Sequence, residues 1–158
     1  MGFALSDMQL TSSAFTAGGA IPKRHTGEAE DVSPELTFSK VPEGTKGFAL
    51  ICHDPDAPLV KADKYGFVHW VLYNIPASVT QLEEGVSAYT AGSNDFGNTG
   101  YGGPMPPPGH GRHHYFFWVF ALDQELGLEP GLNQGQLLER IEPHVLGMNR
   151  LVGTYERG

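Results

Sequence analysis

The sequence has a single cysteine, few basic residues and no long hydrophobic run. Cys52 cannot form a disulfide within the chain, and its position after the apolar run Phe48-Ala-Leu-Ile predicts a buried structural thiol. The 10 basic residues stand against 18 acidic ones, and the formal net charge of −8 disfavours nucleic acid and anionic membrane surfaces as partners. No stretch approaches the roughly 18 apolar residues of a membrane span, and the N-terminus lacks a secretory signal pattern. We therefore expect a cytoplasmic protein without membrane insertion.

Turn-forming residues are abundant, with 21 glycines and 12 prolines among 158 positions. This composition favours many short strands joined by turns over long helices. The length is that of one domain, which we expect to span residues 1–158. We predict a mainly β protein.

Apolar runs indicate where the main strands lie. The run from Phe48 is short and apolar, and Val68 to Ile75 is the next such run. His113 to Leu122 is the strongest strand signal; it is aromatic and continuous, which is typical of a strand buried on both faces. Leu36 and Phe38 alternate with polar residues as in a half-buried strand.

One stretch has helical periodicity. Gln134 to Leu146 carries apolar residues on one stripe, and Asn133 can cap its N-terminus. Pro143 predicts a break or kink in this helix. Leu151 to Tyr155 follows as a final strand.

The Phe48 strand ends in two carboxylates on a stiff turn. Asp54 and Asp56 alternate with Pro55 and Pro58, and the prolines restrict the backbone on both sides. One interpretation is that these charges are held in position for a function; the other is that they are solvated residues at a capped strand end.

Two histidines begin the neighbouring apolar runs. If the strands that start at His69 and His113 flank the Phe48 strand, both imidazoles converge with Asp54 and Asp56 at one end of a sheet. The alternative for each histidine alone is a structural role at a strand start.

The ordered motifs resemble those of the phosphatidylethanolamine-binding proteins, the family that includes the Raf kinase inhibitor proteins. The resemblance rests on Asp54-Pro-Asp-Ala-Pro58, His69-Trp70, Gly103-Pro-Met-Pro-Pro107 and Gly111-Arg-His113-His-Tyr115. The bacterial and archaeal branch is the more similar one, through stretches such as Asp95-Phe-Gly-Asn-Thr-Gly-Tyr101. The similarity covers nearly the whole chain.

This resemblance implies an antiparallel β-sandwich with a few peripheral helices, one of them near the C-terminus. It also implies a non-catalytic pocket, without metal or cofactor, that binds a small anion such as phosphate or a phospholipid head group. The implied pocket residues are Asp54, Asp56, Pro58, His69, Pro107, His113 and Tyr115. The rim at Tyr65-Gly-Phe67 departs from the tryptophan found in eukaryotic members. The resemblance also implies a homodimer, as in some bacterial relatives, and regulation of a protein partner such as a kinase or protease.

Two carboxylates in an anion site need an explanation. Our expectation is that each carboxylate keeps a histidine protonated, so that the imidazolium donates to the anion. An ammonium group on the ligand would find a carboxylate partner.

Two alternatives use the same cluster of Asp54, His69 and His113. A divalent metal site is compatible with two aspartates and two histidines, although their spacing matches no common ligand motif. A hydrolase could use His113 as a base oriented by Asp54, but the sequence has no Gly-x-Ser-x-Gly motif. A purely structural protein without a ligand is the remaining possibility.

Overall fold

The computed structural model describes residues 3–57 and 65–158. Across these two ranges, the chain forms a mainly β structure with two antiparallel sheets and one α-helix near the C-terminus. The strands are β1 (Gln9–Thr11), β2 (Leu36–Ser39), β3 (Gly47–Asp54), β4 (Phe67–Pro76), β5 (Gln81–Leu82), β6 (Thr90–Ala91), β7 (His113–Leu122) and β8 (Val145–Tyr155). The helix α1 covers Gln134–Ile141, and short 3-10 helices cover Lys23–His25 and Glu142–His144.

The two sheets pack face to face, which confirms the predicted β-sandwich. The smaller sheet has the order β1-β2-β5, and the larger has the order β6-β4-β3-β7-β8. Their shared core joins Leu36 and Phe38 of β2 to Phe48 and Leu50 of β3 and Phe117 of β7. The Phe38 and Phe48 rings lie 4.8 Å apart. Strand β3 lies at the centre of the larger sheet because its residues are apolar on both faces.

Helix α1 covers the other face of the larger sheet. Leu137 and Ile141 pack against Ile51 and Tyr73 in a second apolar cluster. The Asn133 side chain accepts from the Gln136 N–H and the Gln136 side chain accepts from the Asn133 N–H, so the predicted cap forms a complete capping box.

The C-terminal helix is shorter than predicted. It ends at Ile141, and Pro143 lies in the 3-10 helix that follows, because proline cannot continue the helical hydrogen-bond pattern. Residues up to Leu146 were expected to be helical, but β8 already begins at Val145 and pairs with β7 along its whole length. The final strand is therefore longer than the predicted Leu151 to Tyr155.

Strand β7 has the predicted bounds, but its first half is not buried on both faces. His114 is exposed, and Phe116 and Trp118 are half-buried. The guanidinium of Arg150 lies 5.4 Å from the Trp118 ring centre and covers part of it. Both faces become buried only from Val119 onwards.

Within the described ranges, no helix is long and apolar enough to cross a membrane.

Candidate functional site

Three strand ends meet at one edge of the larger sheet. Strand β3 runs antiparallel to both β4 and β7, so its last residues lie beside the first residues of its two neighbours. Asp54 is opposite Phe67 in the β4 register, and His53 is opposite Phe116 in the β7 register. The predicted convergence is confirmed for Asp54, His69 and His113, which line one cavity, but Asp56 does not line it.

The Asp54 carboxylate is the polar centre of this edge. It is 3% exposed. Its Oδ2 accepts from His113 Nδ1 at 2.7 Å, and its Oδ1 accepts from the backbone N–H of Asp56 at 2.7 Å. Both oxygens are therefore hydrogen-bonded within the protein, as a buried carboxylate requires. The first bond fixes the proton of His113 on Nδ1.

His69 reaches the same edge through a β-bulge. Cys52 pairs with Trp70 but His53 pairs with Val68, so His69 is the extra residue on β4. Trp70 points into the core between the sheets, and His69 makes an edge contact with the ring of Tyr115 in that same core, with centroids 5.2 Å apart. The bulge thus turns His69 towards Asp54 and His113.

We expected a carboxylate to keep His69 protonated, and this expectation is wrong. Its Nδ1 donates to the Gly102 carbonyl at 2.7 Å rather than to a carboxylate. Burial lowers the pKa of His69, and the opposing effects of the Gly102 carbonyl and the Asp54 charge do not reverse this. A neutral ring with its proton on Nδ1 has an acceptor at Nε2. His69 therefore offers a lone pair to a ligand.

A cavity of about 220 Å³ opens at this edge. It is lined by Asp54, Ala57, Phe67, His69, Phe96, Met105, Pro106, Pro107 and His113. Four of the predicted site residues are among them. Tyr115, which is 1% exposed, lies behind the two histidines and stacks on His113 with ring centres 6.5 Å apart. The predicted Pro58 lies outside the described residues.

Asp56 is placed differently from Asp54. It is exposed, does not line the cavity, and its Oδ2 accepts from both the backbone N–H and the Nδ1 of His114 at 2.7 Å. Partial burial raises the pKa of Asp56, but the hydrogen bonds from His114 outweigh this and the net pKa is lowered. Asp56 therefore forms a solvent-exposed pair with His114.

Comparison with known proteins identifies the family. The family model described as phosphatidylethanolamine-binding protein matches residues 11–156. The chain belongs to this family. Membership indicates a ligand-binding protein, and it confirms the resemblance found in the sequence motifs.

Relatives and solved structures agree with this assignment. A UPF0098 protein of Methanothermobacter thermautotrophicus is 45% identical over 158 residues, which cover 96% of this chain and all (100%) of that protein. The crystal structure of the phosphatidylethanolamine-binding protein homologue CT736 of Chlamydia trachomatis has a TM-score of 0.89 at 39% identity and covers 96% of this chain and 98% of its own. Escherichia coli YbcL, described as a member of the mammalian family, has a TM-score of 0.84 at 34% identity, with 97% and 100% coverage.

Several residues that line the cavity were not predicted from the sequence. Phe96 lies in a glycine-dense stretch, and its ring makes an edge contact with His69 at 5.4 Å between ring centres. The nearby Gly102 explains the fit, because a Cβ there would lie 2.5 Å from the Phe96 ring. Met105 and Pro106 also line the cavity. The glycine count marked this stretch as a turn region but gave no signal that its phenylalanine would reach a histidine on β4.

The rim residues that depart from the family pattern take separate positions. Phe67 lines the cavity, with its ring 4.8 Å from that of His69. Tyr65 is 68% exposed, and its backbone carbonyl lies 3.3 Å from Nε2 of His53. Of these two rim residues, Phe67 contributes to the aromatic wall and Tyr65 does not line the cavity.

The described residues contain the Asp54–His113 pair that the hydrolase alternative requires, but they offer neither a metal cluster nor a reactive cysteine. In the described ranges, no group of three or more His, Cys, Asp or Glu side chains is positioned to hold a metal ion. Cys52 is 1% exposed, and burial together with the Asp54 charge raises the pKa of its thiol well above the usual value. A protonated, enclosed thiol is a poor nucleophile.

Proposed function

We propose that this protein binds a small anion of the phosphate type, either free phosphate or the head group of a phospholipid, without catalysing its reaction. The observation that carries the proposal is the Asp54–His113 pair, whose side chains are both 4% exposed and which borders the cavity.

The pair has the polarity that an anion site needs. Asp54 holds the Nδ1 proton of His113, so a second proton can be bound only at Nε2. An N–H donor at Nε2 forms a strong hydrogen bond to an anionic oxygen. The Asp54 carboxylate itself lines the cavity, and both of its oxygens are already engaged, one by Nδ1 of His113 and one by the Asp56 N–H.

His69 adds a requirement for a donor on the ligand. Its Nε2 is an acceptor, so it would repel a fully deprotonated oxygen and favour an N–H or O–H group. Inorganic phosphate retains two P–OH groups as the monoanion and one as the dianion, and phosphoethanolamine carries an ammonium group. Both combine a negative oxygen for His113 with a donor for His69.

The remaining walls suit the non-polar part of such a ligand. Phe67, Phe96, Met105 and two prolines form most of the lining. Small-molecule sites are usually mainly apolar and contain only a few polar groups, as this cavity does. Phe96 and Met105 are 43% and 42% exposed, so they lie where a ligand tail would leave the cavity.

A hydrolase would need a nucleophile or water beside the oriented histidine. Among the described residues that line the cavity, none carries a hydroxyl or thiol group that could act as the nucleophile. We therefore favour binding over catalysis. A homodimer and a regulated protein partner, such as a kinase or protease, remain predictions from the resemblance.

Calorimetric titration with inorganic phosphate and with O-phosphoethanolamine tests the proposal. We expect saturable binding of one equivalent, weakened by about 1.5–3 kcal/mol in His113→Ala because a charge-assisted hydrogen bond is lost. His113→Gln, a gentler change, should act in the same direction. His144→Ala is the matched control, because it removes a histidine paired with Asp123 Oδ1 at 3.0 Å at the opposite end of the sheet. Failure of the wild type to bind either compound, or unaltered binding by both His113 variants, would overturn the proposal.

A further inference from the structure

His110 is hydrogen-bonded to the ring nitrogen of His113 that would bind the anion. Nδ1 of His110 lies 2.8 Å from Nε2 of His113, and the two ring centres are 5.0 Å apart. His113 is 3% exposed, whereas His110 is an exposed loop residue. The imidazole of an exposed residue is therefore hydrogen-bonded to Nε2 of His113, the ring nitrogen that does not contact Asp54.

The contact engages Nε2 of His113 in either protonation state. When His113 is neutral, its Nδ1 proton is held by Asp54 and its Nε2 accepts from Nδ1–H of His110. When His113 is doubly protonated, its Nε2–H donates to Nδ1 of a neutral His110. An anionic oxygen would need the same Nε2–H, so the anion and His110 compete for one hydrogen bond.

We propose that His110 is a built-in competitor that sets the affinity of the site, and that its ring is displaced when a phosphate-type ligand binds His113. This inference rests on the proposed function. It assigns a role to a residue outside the motifs that carry the family resemblance.

The loop can release the ring while its backbone stays in place. Gly109 and Gly111 flank His110 with φ values of +72° and +91°, and a Cβ at either position would meet nothing within 4 Å. The backbone is anchored, because the Gly109 N–H donates to the Arg157 carbonyl at 3.0 Å and the His110 N–H donates to the Pro107 carbonyl at 3.1 Å. Rotation of the exposed side chain is then sufficient to free Nε2 of His113.

Removal of the competitor should increase affinity. We expect His110→Ala to bind inorganic phosphate about two- to tenfold more tightly than the wild type, the ratio that one intramolecular hydrogen bond supplies. His144→Ala serves as the control and should bind like the wild type. Weaker or equal binding by His110→Ala, with wild-type binding intact, would overturn this inference and leave the proposed function standing.

A spectroscopic measurement reports on the contact directly. In the ligand-free, ¹⁵N-labelled protein, we expect a nitrogen–nitrogen coupling across the hydrogen bond between His110 and His113, and we expect saturating phosphate to abolish it. Persistence of the coupling at saturation, or its absence from the free protein, would contradict displacement. If neither the wild type nor His110→Ala binds phosphate, the proposed function fails and this inference fails with it.

Discussion

Two aspartate–histidine pairs lie side by side at the end of β3, and they differ in burial rather than in bond length. Asp54 with His113 and Asp56 with His114 each have an Nδ1–Oδ2 distance of 2.7 Å. The side chains of the first pair are 4% and 4% exposed, and those of the second are 47% for His114 and 39% for Asp56. Distance alone would give the two pairs the same importance.

Burial gives them different energetic roles. Two charges removed from water depend on each other, and loss of one partner leaves the other without compensation. A solvent-exposed pair loses little, because water and salt replace the missing partner. The inner pair is thus suited to hold a fixed donor for a ligand, and the outer pair to fasten the turn after β3 to the start of β7.

The largest expected effect comes from breaking the inner pair. His113→Ala should lower the free energy of unfolding by about 3–5 kcal/mol, because the Asp54 carboxylate is left buried without its partner. Urea denaturation at neutral pH measures this change. A loss below about 1 kcal/mol would mean that the inner pair behaves like a surface pair.

Acid should weaken the fold through His69. Because burial holds the pKa of folded His69 below its unfolded value of about 6.5, the unfolded chain binds the proton first. Its contribution to stability is complete above that unfolded value and is lost as pH falls towards the lower, folded value. Urea midpoints should therefore drop between about pH 7.5 and about pH 5.5, and the drop should be smaller in His69→Gln. An equal drop in both proteins would assign the acid sensitivity to other groups.

Asp56 does not interfere with that measurement. Its lowered pKa gives stability that is present above its unfolded value of about 3.9 and is lost only as pH falls through the folded value. The two groups therefore act in separate pH windows.

The smallest effect should come from breaking the outer pair. His114→Ala should change the free energy of unfolding by less than about 1 kcal/mol, since both side chains are in contact with solvent. The same urea denaturation, at low salt and at high salt, is the measurement. A loss as large as that of His113→Ala would abolish the distinction between the pairs.

The long strands, and the sequence positions of the residues that form the candidate site, could be predicted because they depend on local patterns. The aromatic run of β7 gave its bounds correctly. The two-residue strands β5 and β6 could not be predicted, since they form only by pairing with residues far along the chain, such as Leu36 with Leu82 and Leu72 with Ala91. The first two residues of β8, Val145 and Leu146, were assigned to the helix, and the strand was expected only from Leu151, because the pairing of β8 with β7 leaves no local pattern.

Within the site, sequence identified the residue types but not their states. Asp54 and Asp56 look equivalent in the motif, and only the packed structure separates a buried carboxylate from an exposed one. The neutral state of His69 depends on its burial, which follows from a bulge that no local signal marks, and its tautomer depends on the Gly102 carbonyl, 33 residues away. Non-local contacts of this kind decide protonation.

The central claim is that Asp54 supports anion binding through His113 rather than opposing it by repulsion. Calorimetric titration of methanesulfonate into wild type and Asp54→Asn at neutral pH tests this most directly, since a sulfonate keeps one charge throughout. Thermal unfolding of both proteins under the same conditions confirms that each is folded. We predict that Asp54→Asn binds more weakly than the wild type, because a neutral amide supports the ring of His113 as a donor less strongly than the carboxylate on its Nδ1 does. Tighter or unchanged binding by Asp54→Asn would contradict the account.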